Sequence, residues 1–259
     1  MKRKQVGPLQ GWQFDQLNAE AEVKHLVTDR NSSNGQDEFT LSYSSHSDRG
    51  FVYANRVKLA QSLGVEPQHL FLPSQVHQTN IVQVSAITTI KDLLETDALI
   101  TNQPGVGIAV MSADCVPILL FDKKNKAIGA VHSGWRGTVA HILEKTLVEM
   151  NRVYGTEGYD LLAAIGPSVC KQVYEVGAEV VLAVREAFDD KSELLLHPLP
   201  AEKAKLDLWM ANKVQLLKFG VPEVQIEIAN HCTVLQNNHF FSARCGDSGR
   251  FAAGIALTS

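Results

Sequence analysis

Between Ile81 and His132 the chain strings together five short apolar runs, Ile81–Val84, Ala98–Thr101, Gly107–Met111, Ile118–Phe121 and Ala127–His132, each closed by Pro, Gly or an Asn/Lys turn. Apolar runs of this length bounded by such breakers read as buried strands, and several in succession demand a sheet. The Lys123-Lys124-Asn125-Lys126 turn predicts a hairpin between the last two. Helical periodicity surrounds them. Asn55–Leu63 carries Val57, Leu59, Ala60 and Leu63 before a Gly64 stop, and Thr138 can cap a helix with Val139, Ile142, Leu143, Leu147 and Met150 on one face. Leu161–Ile165 reads as a strand ended by Gly166-Pro167, Val176–Phe188 and Leu206–Phe219 as helices, and Val224–Ala229 as another strand. The alternation predicts mixed β-sheets covered by helices in an α/β or α+β layered domain, with strand order left open.

A chain of 259 residues is long enough for a substantial core. A single domain over 25–259 is expected, with residues 1–24 an N-terminal extension or a first strand. Hydrophobic residues at 45% and charged residues at 20% exclude a disordered or fibrous chain. A net charge of −4 offers no broad cationic face, so nucleic acid is not an expected partner. Val6–Trp12 is too short and too broken for an export signal, and Pro104, Gly105, Gly107 and Pro117 interrupt the weakly charged stretch from Ala98 to Phe121. Neither export nor a membrane span is expected. The four cysteines, Cys115, Cys170, Cys232 and Cys245, form no C-x-x-C pair and fit a reducing cytoplasm. No internal repeat is visible, and the one polar tract is Asn31–Asp37.

Chemistry is expected where polar residues interrupt apolar strands, because an unpartnered buried polar group costs on the order of a few kcal/mol. Three islands qualify: Pro73–Gln78 with Gln75 and His77, Ser112–Pro117 with Asp114 and Cys115, and Val131–Gly137 with His132 and Arg136. A His77, Cys115 and His132 metal site is one reading, since zinc takes nitrogen and sulfur ligands and three of them leave a position for water or substrate. The separations match no short metal motif. Cys115 also suits a small apolar core position, and the histidines suit capping of backbone carbonyls. Asp114 and Cys115 point to opposite faces of an extended strand unless the chain turns, for which Pro117 is a candidate. A turn would let Asp114 orient a ligand or act as general base; otherwise it accepts hydrogen bonds inside the fold.

The segments SQVHQTNIV, DALIT, MSADCVPILLFD, AVHSGWRGT, AAIGPSVC, YEVG and FFSARCGDSGR occur in this order. In them the chain resembles, from His25 to Leu257, the multicopper polyphenol oxidase (laccase)-like family. That family is also described as purine nucleoside phosphorylases with adenosine deaminase activity and as peptidoglycan editing factors. The resemblance implies a four-layer α/β/β/α, cysteine-hydrolase-like domain with zinc, or copper, held by His77, Cys115 and His132. It implies Arg30, Gln75 and Arg136 as substrate or phosphate contacts, while Asp114, Cys115 and His132 are the candidate catalytic residues. Where the family often continues past Arg30 with Gly-Gly-x-Ser, this chain has Asn31-Ser32-Ser33-Asn34-Gly35. Arg244 and Arg250 are expected to belong to a salt-bridged closing segment.

Among the activities attached to the family, phenol oxidation by several coppers fits least, because the nine histidines include no His-x-His pair. Phosphorolysis of adenosine, inosine, guanosine or methylthioadenosine to base and ribose 1-phosphate, with adenosine deamination beside it, suits one metal in a polar pocket. The alternative is an amidohydrolase, using Cys115 or the metal, that edits a peptidoglycan precursor. The expected partners are a purine nucleoside and phosphate, with neither nucleic acid nor membrane, in a cytoplasmic monomer or homodimer.

Overall fold

Asp122 builds the hairpin expected at Lys123–Lys126: its Oδ1 accepts the backbone N–H of Lys124 and of Asn125 at 2.9 Å, and its Oδ2 accepts the Asn125 side-chain amide. The computed structural model describes residues 1–33 and 38–258. In chain order its first elements are β1 Lys2–Val6, β2 Leu9–Gln13, α1 Asp15–Asn18, β3 Val23–Val27, α2 Arg49–Leu63, β4 Leu70–Phe71, β5 Ile81–Gln83, β6 Ala98–Thr101 and β7 Gly107–Ser112. The hairpin joins β8 Val116–Asp122 to β9 Ala127–Ser133, followed by α3 Trp135–Val139, α4 Ile142–Tyr154 and β10 Leu161–Ile165. The rest comprises β11 Glu175–Val176, α5 Ala178–Phe188, α6 Ser192–Leu195, β12 Leu196–Pro198, β13 Ala204–Leu206, α7 Leu208–Lys218, β14 Ile226–Ile228 and β15 Phe251–Leu257.

Two six-stranded mixed sheets, ordered β1-β2-β3-β15-β7-β4 and β14-β10-β8-β9-β6-β5, carry the fold beside a small β11-β13-β12 sheet. The period of two along β8 shows how they stack. Leu119 and Phe121 join a core shared with Val110, Phe251 and Ala253 of the first sheet. Ile118 and Leu120 join a core shared with Leu143 and Leu147 of α4, Val184 of α5 and Leu216 of α7. Both faces of β8 are therefore buried, which explains its unbroken apolar run. On the far side of the first sheet, Leu59 and Leu63 of α2 pack against Leu26, Ala109 and Ala256. The result is the α/β/β/α layering.

Several boundaries differ from expectation for local reasons. Helix α2 starts at Arg49 rather than Asn55, because Asp48 Oδ1 accepts the N–H of Gly50 at 2.7 Å and of Phe51 at 3.2 Å. Thr138 does not cap the long helix. Its hydroxyl donates to Gly134 O inside α3, and α4 begins only after His141, whose φ of 58° breaks the helix. The expected helices at Val176 and Leu206 each begin two residues later, at Ala178 and Leu208, because strands β11 and β13 occupy their first positions. The strand expected over Val224–Ala229 narrows to β14, Ile226–Ile228. Residues 1–24 supply β1, β2, α1 and the first residues of β3, so they are part of the first sheet. Strand β15, unread in the sequence, runs between β3 and β7. Its Ala/Gly-rich composition has a packing cause: a Cβ on Gly254 would lie 3.0 Å from Leu63 Cδ1 and 3.2 Å from Ala109 Cβ.

His25 of β3 is buried, and its Nε2 accepts the Phe14 N–H at 2.8 Å, which requires a neutral ring at that nitrogen. Burial, with a small push from Lys4, lowers its pKa from 6.5 to about 4. Above pH 6.5 the ring is neutral whether the chain is folded or not, and adds no pH dependence. As pH falls from 6.5 to about 4 only the unfolded chain takes up the proton, so the folded state loses stability, on the order of 3 kcal/mol in all. Urea titrations across this window are expected to show a shallower acid slope for His25→Gln than for the parent. An unchanged slope would place the acid sensitivity elsewhere.

Candidate metal centre

Four adjacent strands of the second sheet, β8, β9, β6 and β5, each bring one chemical group to the same end. Cys115 immediately precedes β8, His132 is the penultimate residue of β9, Asp97 immediately precedes β6, and His77 lies in the loop before β5. The register fixes this, since Val116 pairs with Ser133, Ala98 with Val131 and Ile81 with Ala98. The ligating atoms of His77, Cys115 and His132 lie within 4.8 Å of one another, and the two imidazoles stand edge-to-face with centroids 4.9 Å apart. Among the described residues this is the one His/Cys/Asp/Glu group suited to a metal.

Asp97, fully buried, organises the cluster. Its Oδ1 accepts from His132 Nδ1 at 2.8 Å and from the His77 N–H at 3.0 Å. Its Oδ2 accepts the N–H groups of Val76 at 3.2 Å and Gln78 at 2.9 Å. Because a carboxylate only accepts, His132 Nδ1 carries a proton and Nε2 is left to face Cys115. Burial pushes the Asp97 carboxyl up, but the bonds from His132, Gln78 and His77 outweigh it and hold it below the ordinary value. Burial likewise pushes the Cys115 thiol up, yet His132 and His77 bring it down to about 6. His132, disfavoured as a cation by burial, is raised to about 9 by Cys115 and Asp97. A thiolate facing an imidazolium is the consequence, and the thiolate is the form in which cysteine ligates metal.

The backbone is bent to bring these groups together. His77 has φ 63° and Asp114 φ 90°, a left-handed region that costs free energy for non-glycine residues and persists only where surroundings enforce it. At His77 the enforcement is the Asp97 grip on three successive amides. At Asp114 it is a pair of bonds, from Thr233 Oγ1 to Oδ1 at 2.6 Å and from the Arg244 N–H to Oδ2 at 2.9 Å. The turn therefore lies at Ala113–Cys115 and not at Pro117, which pairs with His132 inside the sheet. It sends Cys115 toward the histidines and the Asp114 carboxylate away toward the C-terminal segment. Gly134 faces the cluster, and a Cβ there would lie 2.8 Å from Cys115 Sγ and 3.1 Å from His77 Cδ2. The space beside the sulfur is thus open only to glycine. Two imidazoles, one thiolate and this opening fit a transition metal with a free coordination position, and do not fit the oxygen-seeking Mg²⁺ or Ca²⁺.

The cluster opens into a cavity of about 1110 Å³ between α2, the 67–77 segment and the C-terminal loop. Gln75 lines it and clasps the Met111 backbone, donating to its carbonyl and accepting its N–H, both at 2.8 Å. Arg136 is exposed on α3 with its guanidinium 4.3 Å over the Trp135 ring, and does not line the cavity. Arg30 does not line it either; it pairs with Asp247 at 2.9 Å and stacks on Phe241 at 4.7 Å. Of the tract that follows Arg30, Asn34–Asp37 lie outside the described residues. Sequence reasoning did not single out Asp97, although an acid directly before the apolar run Ala98–Thr101 was the available signal. Nor did it place at the cavity Arg49, Arg56, Arg244 and Arg250, all four of which line it. Neither the Arg244 nor the Arg250 guanidinium pairs with a carboxylate among the described residues: they donate to backbone carbonyls, Arg244 to Glu175 and Arg250 to Asp247, Ser248 and Gly249.

Fold and site together define a four-layer α/β protein with a three-residue His/Cys/His centre at one sheet end, facing a large cavity. The chain belongs to the family described as multi-copper polyphenol oxidoreductase laccase, whose sequence profile matches residues 24–258. It is 37% identical over 256 residues to a Bacteroides thetaiotaomicron protein named purine nucleoside phosphorylase, covering 94% of this chain and 95% of the other. It is also 37% identical over 209 residues to adenosine deaminase RL5 from an unknown prokaryotic organism, covering 77% of this chain and 79% of that one. The crystal structure of YlmD from Geobacillus stearothermophilus superposes with a TM-score of 0.88 at 26% identity, over 99% of this chain and 98% of its own. No helix among the described residues is long and apolar enough to cross a membrane.

Proposed function

We propose that the protein is a zinc-dependent purine nucleoside phosphorylase, acting on adenosine, inosine, guanosine and methylthioadenosine, with adenosine deamination as a side activity. The observation that carries this reading is the three-residue centre facing a cavity large enough for a nucleoside. Its relatives named for the two activities support it. Zinc would be held by His77, Cys115 and His132, where it would supply positive charge and lower the pKa of water toward about 7. The chain's own residues then have separable tasks. Asp97 fixes the proton on His132 Nδ1 and holds the His77 loop. Gln75 keeps the Met111 strand end in place beneath the cavity. Asp114, with both oxygens committed, positions Thr233 and Arg244 rather than moving a proton. Arg244, 4.7 Å over the Tyr174 ring, brings a cation to the cavity wall. Multicopper oxidation would need several metal clusters, and the described residues provide one.

Incubation of adenosine with the enzyme is expected to yield adenine and ribose 1-phosphate only when phosphate is present, with inosine as a slower product that needs none. Consumption of no nucleoside, together with cleavage of a muropeptide precursor, would overturn this reading. One observation favours that second reading. Asp97, His132 and Cys115 form a carboxylate–imidazole–thiol chain like that of cysteine hydrolases. Metal content separates the two: turnover that follows stoichiometric zinc supports the nucleoside enzyme, and turnover by metal-free protein blocked by a thiol alkylator supports the hydrolase.

A further inference from the structure

Two arginines grip the same ring on the cavity wall. Arg49 and Arg56, two turns apart on one face of α2, place their guanidinium carbons 4.6 Å and 4.2 Å from the Tyr43 ring centroid. Arg56 donates through Nε and Nη2 to Leu41 O at 3.0 Å and 2.8 Å, and the Leu41 N–H donates to Arg250 O at 3.1 Å. The guanidinium groups of Arg49 and Arg56 thus converge on the 40–44 segment, Arg250 is tied to that segment through its backbone, and all three residues line the cavity. None has a carboxylate within ion-pair distance among the described residues, whereas Arg3, Arg30 and Arg152 each do. Asp114 is the one carboxylate residue lining the cavity, and both its oxygens are already bonded. Donors remain free on these cavity-lining residues: Arg49, Nη1 of Arg56, and Nε and Nη2 of Arg250 make no hydrogen bond to the described residues. Burial and the neighbouring Arg49 both disfavour the charge on Arg56, with Tyr43 acting in the other direction.

In a protein of net charge −4, holding like charges together without a counter-charge costs free energy that a bound anion would recover. We propose that Arg49, Arg56 and Arg250 form a phosphate subsite, distinct from the metal centre, that takes inorganic phosphate as the second substrate. Three guanidinium groups match the four oxygens of a tetrahedral dianion better than the two of a carboxylate: Arg49 and the Nε–Nη2 edge of Arg250 each keep a free fork of donors, and Arg56 keeps Nη1. The subsite adjoins the metal centre through one strand end. Arg56 Nη2 lies 4.0 Å from Met111 Sδ, and the Met111 backbone is clasped by Gln75, two residues before His77. Anion and metal therefore flank one cavity, the arrangement that attack by phosphate on a bound nucleoside requires. The identification of phosphate as co-substrate rests on the phosphorolytic reading above, whereas the subsite itself does not.

Equilibrium dialysis of the full chain against radiolabelled inorganic phosphate tests it, both as purified and after removal of metal by a chelator. One phosphate per chain is expected in both forms, since the arginines rather than the metal hold it. Arg49→Gln is the primary variant, because Arg49 is exposed and its loss breaks no backbone contact; Arg56→Gln is the second. Each is expected to weaken binding about tenfold or more, the loss of a charge-assisted contact, while Arg152→Gln, paired with Glu149 outside the cavity, binds as the parent does. Competition by adenosine 5′-monophosphate distinguishes the source of the phosphoryl group: failure to compete supports the free anion, and displacement supports a phosphate ester at the same arginines. Parent-like affinity in both arginine variants, or loss of phosphate together with the metal, overturns the subsite. Arginine-dependent phosphate binding without cleavage of any nucleoside leaves the subsite standing and removes the phosphorolytic reading.

Discussion

His132→Ala is expected to yield a folded protein that binds metal at least about 10- to 100-fold more weakly and turns over no nucleoside. In the proposed centre His132 is one of three ligands, and the remaining pair would leave the ion more exposed to water and to competing chelators. The fold survives because the two sheets share a core that the metal does not touch, with Phe14, Phe121, Phe240 and Phe251 fully buried. The substitution leaves Asp97 with its three backbone partners, so the cost in stability is expected to be at most a few kcal/mol. His231→Ala and His239→Ala are the controls. Both rings pack against Trp12, with centroids 4.6 Å and 5.6 Å away, and neither belongs to the cluster. Metal content by mass spectrometry should fall in His132→Ala and stay at the parent level in the two controls. Equal loss in all three would contradict the assignment.

Asp97→Asn carries the second large effect, and it acts on two properties at once. The amide can accept fewer bonds than the carboxylate, so some of the N–H groups of Val76, His77 and Gln78 lose their acceptor, and His132 loses the partner that fixes its tautomer. Buried donors left unpaired cost roughly 1–3 kcal/mol each, so a stability loss of a few kcal/mol is expected by urea titration. Metal affinity should fall about 10- to 100-fold although every ligand is still present. If binding and turnover match the parent, Asp97 is only a loop anchor.

The three residues of the candidate centre could be picked out in the sequence because each sits in a polar island at the end of an apolar run, where a sheet brings strand ends together. Asp97 was not singled out. One acid before an apolar strand looks like any turn residue, and its partners come from another loop and from a strand far along the chain. The arginines of the cavity were hidden for the same reason: Arg49 and Arg56 reach it from α2 and Arg250 from the C-terminal loop, a meeting that only the tertiary fold creates. Arg30 shows the converse. Its motif position suggested an anion contact, but Asp247 and Glu38 lie close enough to pair with it. The unbroken apolar runs of β8 and β9 made the second sheet visible, whereas β15, rich in Ala and Gly to admit α2, carried too weak a β signal to be read.

The most direct test of the centre is X-ray absorption at the zinc edge on the protein as purified. One sulfur at about 2.3 Å and two imidazole nitrogens at about 2.0–2.1 Å are expected, with a further light-atom ligand. The sulfur contribution should vanish in Cys115→Ser and persist in Cys245→Ser. A metal without a sulfur ligand, or a sulfur signal that survives Cys115→Ser, would contradict the His77, Cys115 and His132 centre.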